Sequence, residues 1–259
     1  MKKSESRTSI LACWLVIMGL TVVACRNPYQ DVEQEKQWAA EVRKKYTTNL
    51  KCNKSTDAAY LTRLLGDLVK VADQNPYTFE VCLDDSAGEV NAYAFPAGYI
   101  VVNAGLLRAV GDESELVVVL SHEISHVILR HSFKSEKKKQ WGSEFFGSMK
   151  NPVLRIPAQL FGGLGMLKYS REYEKYADLM GIEITGRAGY SSYSAISFFS
   201  KLESLEFQRH PLLLQLLSTH PSSKERLKYI KRQINRSNQQ PSPVNSKEFE
   251  EMKKRYPRL

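Results

Sequence analysis

The chain of 259 residues is long enough to bury one good-sized core and too short for two large ones. With 42% hydrophobic and 25% charged residues it has the balance of a soluble globular protein. The formal net charge of +9 points to anionic surroundings. Lys and Arg are scattered rather than striped and there is no nucleic-acid module, so no nucleic-acid partner is expected and a basic surface near a membrane is favoured.

Met1 to Arg7 is short and positive, and Thr8 to Ala24 runs without a charge. That run is shorter than the roughly 20 apolar residues a spanning helix needs, so residues 1–24 read as a signal peptide. It ends in Val22-Val23-Ala24-Cys25, which resembles the bacterial lipobox. The resemblance implies cleavage before Cys25 and a lipid anchor on that residue, at the periplasmic face of the envelope. Arg26, where an Asp would resemble the inner-membrane retention signal, leans toward the outer membrane. An uncleaved anchor with an incidental Cys is the alternative. Cys13 lies in the signal, which leaves Cys52 and Cys82 in an oxidising compartment. A disulfide between them is expected, against two buried free thiols.

Residues 25–56 read as a tether with a polar, mostly exposed helix over Asp31 to Tyr46. A single domain follows over 57–236. Its first element is an amphipathic helix over Asp57 to Asp73, with Leu61, Leu64, Leu65, Leu68 and Val71 at helical spacing. Tyr77 to Leu83 alternates as a strand, a turn follows at 84–88, and Val90 to Asn103 reads as two strand pieces around Pro96-Ala97-Gly98. A proline belongs at a sheet edge because it cannot donate to a ladder. Asp112 caps a helix with Glu115 at its third position. The apolar residues of that helix recur as far as about His131. An insert over 132–169 precedes helices at about 171–187, 192–207 and 222–236. The insert reads either as a mobile flap or membrane-contacting segment, or as a core helical hairpin. Residues 237–259 read as a polar, disordered tail whose charged end is at most a marginal helix.

The chemistry sits at His122-Glu123-Ile124-Ser125-His126. Four residues apart on a helix, His122 and His126 lie on one face and can share a metal ion. Glu123 projects to the same mouth, where it can take a proton from metal-held water instead of binding the metal. A catalytic zinc keeps three protein ligands and one open position. The third ligand is expected from Glu174, four residues before Asp178 and on one helical face with it and Arg171. Asp178 can accept a hydrogen bond from the far nitrogen of a ligating histidine, His122 by preference. Standing alone, these are ordinary surface carboxylates. Glu172 lies on a different face, and His131 reads as structural.

His-Glu-x-x-His followed by Ser170-Arg171-x-x-Glu174-x-x-Ala177-Asp178 resembles the zinc metallopeptidase family of the CAAX prenyl proteases and the Oma, BepA and LoiP quality-control proteases. The segment Asn91-Ala92-Tyr93-Ala94-Phe95-Pro96-Ala97-Gly98 resembles that family's edge strand and turn, with Ala97 where Gly is frequent. Leu106-Leu107 and Thr219-His220-Pro221 with Arg226 match as well, so the resemblance covers about 57–232. The chain looks like the LoiP-like lipoprotein branch, having no long uncharged run after residue 25.

The resemblance implies an α+β, zincin-like fold, mainly helical, with a small antiparallel sheet whose edge strand lines the cleft. It implies one Zn2+ per chain on His122, His126 and Glu174, Glu123 as general base and then general acid, and Asp178 with Arg171 behind the ligands. Asn91, Ala92, Tyr93, Ala94 and Phe95 would pair with an extended substrate. His220 would stabilise the oxyanion or bind the metal as a resting-state fourth ligand; packing at a helix entry is the alternative. The function implied is endopeptidase action on unfolded or misassembled envelope proteins. A chaperone or assembly factor for outer-membrane proteins, with secondary proteolysis, is the competing class; a closed structural zinc site is a third.

Overall fold

The computed structural model describes residues 28–258 apart from 49, 74, 148–168, 214, 215, 217, 218, 221, 222 and 236–244. Cys25, most of the insert and the Ser/Gln/Pro-rich stretch therefore lie outside the described residues.

Helix α1 (Pro28–Thr47) leads to α2 (Thr56–Val71), which Ser55 caps by accepting from the Ala58 amide. The leucines expected to share a face of α2 are all buried. Strands β1 (Glu80–Asp84), β2 (Ala92–Ala94) and β3 (Tyr99–Asn103) form a sheet in the order β1-β3-β2. The sheet is small, but it is mixed where an antiparallel one was expected. β2 and β3 are antiparallel because a tight turn at Pro96–Gly98 joins them; β1 fills the other side of β3 in parallel. The turn needs left-handed backbone at Ala97 (φ 61°) and Gly98 (φ 103°). A Cβ at Gly98 would stand 2.5 Å from the Thr78 carbonyl oxygen.

After α3 (Ala104–Ala109) comes α4 (Glu113–Ile128), capped by the Asp112 side chain accepting from the Glu115 amide at 2.8 Å. Every residue of α4 through Val127 is buried, so this helix is the centre of the molecule. One side of it meets the sheet and the other meets α6 (Arg171–Arg187). Helices α5 (His131–Gly147), α7 (Ser194–Phe207), α8 (Ser223–Ile234) and α9 (Lys247–Arg255) complete the described chain. The main core gathers Leu61, Leu65, Leu83, Ile100, Leu116, Leu120 and Ile124, each nearly inaccessible.

Helix α1 is polar and mostly exposed, as expected, but it and the segment expected as a disordered tail are both docked. Helix α1 buries Glu35, Ala39 and Val42, and it covers the outer face of the sheet through Val42, Tyr93, Phe95 and Tyr99. The expected tail at 237–259 contains α9, which buries Phe249 and Met252. Its start is clasped to α4: Glu113 accepts from the Ser246 amide at 2.5 Å and from Tyr60 Oη at 2.7 Å. A disulfide joins Cys52 to Cys82, so the segment before α2 is fixed to β1. No helix among the described residues is long and apolar enough to cross a membrane.

Candidate active site

The site is assembled on α4 and α6, which pack closely. On α4 the helical repeat brings His122 and His126 to one face, with Nε2 atoms 3.0 Å apart. On α6, Glu174 and Asp178 face them. Glu174 places its carboxylate 3.6 Å from His122 Nε2 and 3.5 Å from His126 Nε2. Asp178 accepts from His122 Nδ1 at 2.9 Å. His220, in the segment leading into α8, brings Nδ1 to 3.0 Å from Glu174 Oε1 and 3.4 Å from His122 Nε2. Its Nε2 lies 3.5 Å from Glu123 Oε1.

These positions suit a metal ion. His122 donates from Nδ1 to Asp178, so its Nε2 is bare and faces His126 Nε2. Lone pairs that converge so closely repel unless a cation stands between them. A tetrahedral site with Zn–N near 2.0–2.1 Å has donor–donor edges of about 3.3 Å; the spacings among His122, His126 and Glu174, and from His122 to His220, run from 3.0 to 3.6 Å. His122, His126, Glu174 and His220 are all buried and offer four donors within 4.8 Å of one another.

Arg226 of α8 holds the acidic half together. It donates from Nη1 to Glu174 at 2.9 Å, and from Nε and Nη2 to Asp178 at 2.9 and 2.7 Å. Tyr229 donates to the same Asp178 carboxylate, and Phe199 supports the guanidinium at 4.5 Å. Burial pushes Asp178 up, but Arg226 and His122 outweigh it and hold its pKa down at about 2. Burial raises Glu174 too, and His220 and Arg226 bring it well below the usual carboxylate range. Glu123 goes the other way: burial raises it more than the nearby imidazoles lower it. His126 is pushed well down by burial. Burial would lower His220 as well, but Glu174 and Glu123 raise it. A buried carboxyl with raised proton affinity, beside a Glu174 held low and a His220 held high, is an acid–base arrangement.

The strand β2 flanks this cluster. Phe95 donates its amide to Tyr99, and the Asn91 carbonyl accepts from Asn103. Odd-numbered residues therefore bond to β3, and the backbones of Ala92 and Ala94 point to the open side of the sheet. The Ala92 and Ala94 side chains join the main core, whereas Tyr93 and Phe95 turn to the outer face under α1. Small side chains let α4 approach the strand closely. A cavity of about 30 Å3 lies beside His122 and Glu123, walled by Val118, Phe198, Phe199 and Leu202. A larger cleft of about 430 Å3 lies between α2 and α9 and holds none of these groups.

Glu123, His122, His126, Glu174, Asp178 and His220 thus come together. Arg171 does not: it is exposed in the first turn of α6, and Arg226 occupies the place behind the ligands expected for it. Glu172 is exposed. His131, expected to be structural, is buried with Nδ1 2.9 Å from His126 Nδ1. Tyr169 stacks on the His126 ring at 3.9 Å. Sequence reasoning had no signal for Tyr169. For Arg226 it had the motif position and no role.

The sequence profile of Peptidase family M48 matches residues 55–234. The chain is 30% identical over 190 residues to the "Beta-barrel assembly-enhancing protease" of Escherichia coli, covering 68% of this chain and 37% of that protein. It is 32% identical over 207 residues to the protein of the same description in Yersinia pestis, with 72% and 40% covered. It is 33% identical over 142 residues to the "Mitochondrial metalloendopeptidase OMA1" of Arabidopsis thaliana, with 54% and 29% covered. The chain therefore spans well under half the length of these relatives.

Proposed function

Because the chain belongs to peptidase family M48, we propose that it is a zinc-dependent endopeptidase of the bacterial cell envelope. The observation that carries this is the convergence of His122 Nε2, His126 Nε2 and the Glu174 carboxylate on one point, with Glu123 beside them. Those three residues would hold the ion. Bound there, zinc supplies a Lewis acid for the scissile carbonyl and acidifies a water to a pKa near 7.

The chain's own residues do the rest. Glu123, buried and with raised proton affinity, takes the proton from the attacking water and passes it to the leaving amine. Asp178 holds His122 in the tautomer that presents Nε2. Arg226 keeps Glu174 and Asp178 ionised and in place. The outward backbone of β2 at Ala92, beside the Ala94 amide that faces the Glu123 carboxylate, offers an extended peptide a strand to pair with. Recognition through backbone suits unfolded or misassembled envelope proteins as substrates, with a lipid anchor at Cys25 tethering the enzyme to the membrane, on the outer-membrane side. His220 fits either a resting-state fourth ligand or an oxyanion donor. Its Nδ1 faces Glu174 at 3.0 Å and its Nε2 faces Glu123 at 3.5 Å, which supports a place in the site in either role.

Glu123→Gln is the test. The variant is expected to bind one zinc and keep its thermal unfolding temperature while releasing peptides from casein at under about a thousandth of the wild-type rate. Retained cleavage removes Glu123 as the base, and a wild type that binds no zinc overturns the proposal. The relatives named for beta-barrel assembly favour a second reading, in which the chain assists assembly and cleaves secondarily. Rescue of an envelope-defect strain by Glu123→Gln would select it.

A further inference from the structure

A ligating imidazole has two nitrogens to satisfy. His126 turns Nε2 toward His122 and Glu174. To leave that nitrogen bare its proton must sit on Nδ1, and a buried N–H needs an acceptor. The atom facing it is His131 Nδ1, 2.9 Å away. His131 is 2% exposed, so no solvent competes for the contact.

The placement of His131 is built, not incidental. On a continuous helix a residue five positions on would face away from His126. Here the chain breaks at Arg130, which is left-handed at φ 59°, and restarts as α5 with His131 folded back over the last turn of α4. A non-glycine residue in this conformation costs about 1 kcal/mol or more. Arg130 is held there by its guanidinium, which donates from Nε to Glu35 at 2.5 Å and from Nη2 to the Asp31 carbonyl at 2.7 Å. The His131 ring is then clamped flat against Tyr173, with centroids 4.3 Å apart and planes 7° apart.

We propose that His131 is a positioning residue for the metal site: its neutral imidazole accepts the Nδ1 proton of His126 and fixes that ring to present Nε2, as Asp178 does for His122. The proposal rests on the metallopeptidase reading. It makes the site asymmetric, with one ligand backed by a carboxylate and the other by an uncharged acceptor. His131 then carries its own proton on Nε2.

The test separates acceptance from packing. His131→Phe keeps a ring against Tyr173 and removes the acceptor. His131→Asn loses the ring and restores an acceptor near the position of Nδ1. Zinc dissociation constants are measured on the full chain by competition with a chromophoric chelator, with unfolding temperatures of the metal-free proteins alongside. His131→Phe is expected to bind zinc 10- to 100-fold more weakly, with metal-free stability close to wild type, and His131→Asn to recover most of the affinity. Wild-type affinity in His131→Phe overturns the proposal, as does equal weakening in both variants. If His131→Phe fails to fold, His131→Leu takes its place by the same criteria: wild-type affinity refutes the role, and a loss above tenfold that His131→Asn does not share supports it. Absence of zinc from the wild type defeats the metallopeptidase reading itself, a different outcome from a wild type that binds zinc and a variant that binds it equally well.

Discussion

Gly181→Ala probes the seam on which the site depends. Gly181 sits on α6, the helix that carries Glu174 and Asp178, and faces the backbone of α4 at His122. A Cβ there would lie 3.0 Å from the His122 nitrogen, 3.2 Å from its Cα and 3.3 Å from the Ser121 carbonyl carbon. All three are backbone atoms, so no side-chain rotation relieves them. Restoring ordinary contact at 3.4 Å moves the two helices apart by about 0.4 Å. Alanine gains about 1 kcal/mol over glycine in a helix interior, and overpacking costs about 1–3 kcal/mol. The net destabilisation is therefore small, about 1 kcal/mol, or roughly 2–4 °C in unfolding temperature for a domain of this size. The effect on the site is larger than the effect on stability. The wedge acts between His122 and Asp178 and would stretch their 2.9 Å hydrogen bond to about 3.3 Å. A misplacement of 1 Å costs about a hundredfold in rate, so 0.4 Å corresponds to roughly a five- to tenfold loss in kcat/KM. Peptide release, zinc competition and thermal unfolding are measured together. An Ala variant more stable by about 1 kcal/mol, with unchanged kcat/KM and zinc affinity, would refute the close approach.

Arg226→Met leaves two buried carboxylates without their cation and is expected to cost the metal-free protein about 3–5 kcal/mol. Zinc at Glu174 compensates one of the two, so the loss in unfolding temperature should be smaller with zinc than without; equal losses in both forms would argue against Glu174 as a ligand. Phe249 is 1% exposed, and Phe249→Ala is expected to lose about 3–5 kcal/mol in denaturant unfolding, whereas a disordered tail would show no change. Opening the Cys52–Cys82 link, 30 residues apart in sequence, removes a loop constraint worth about 3–4 kcal/mol. A Cys52→Ser/Cys82→Ser double variant should show that loss with zinc affinity intact; a parallel fall in affinity would mean that the disulfide shapes the metal site.

How much of this was legible depends on range. His122 with His126, and Glu174 with Asp178, were readable because an i, i+4 pair on a helix shares a face whatever surrounds it. The same periodicity put Arg171 on that face, but a shared face does not decide which turn meets the partner helix, and the first turn of α6 stays in solvent. The leucines of α2 and the turn at Pro96–Gly98 followed from local pattern. Helix α9 did not, since Phe249 and Met252 are its only buried residues and they gain a helix only by docking.

By itself the sequence determined the pairing of His122 with His126 and of Glu174 with Asp178 along their helices, and the strand and turn around Pro96–Gly98, because backbone geometry sets these within a few residues. The mainly helical class and the place of that strand beside the site came from the family resemblance. The tertiary structure decided the acidic clamp by Arg226, which reaches Asp178 from 48 residues away, and the contact of His131 with His126, which needs a left-handed break anchored by Glu35, 95 residues distant. It also decided that β1 runs parallel to β3 and that α1 covers the sheet. Each of these depends on which surfaces meet, and local periodicity carries no information about the distance between elements once the chain has turned.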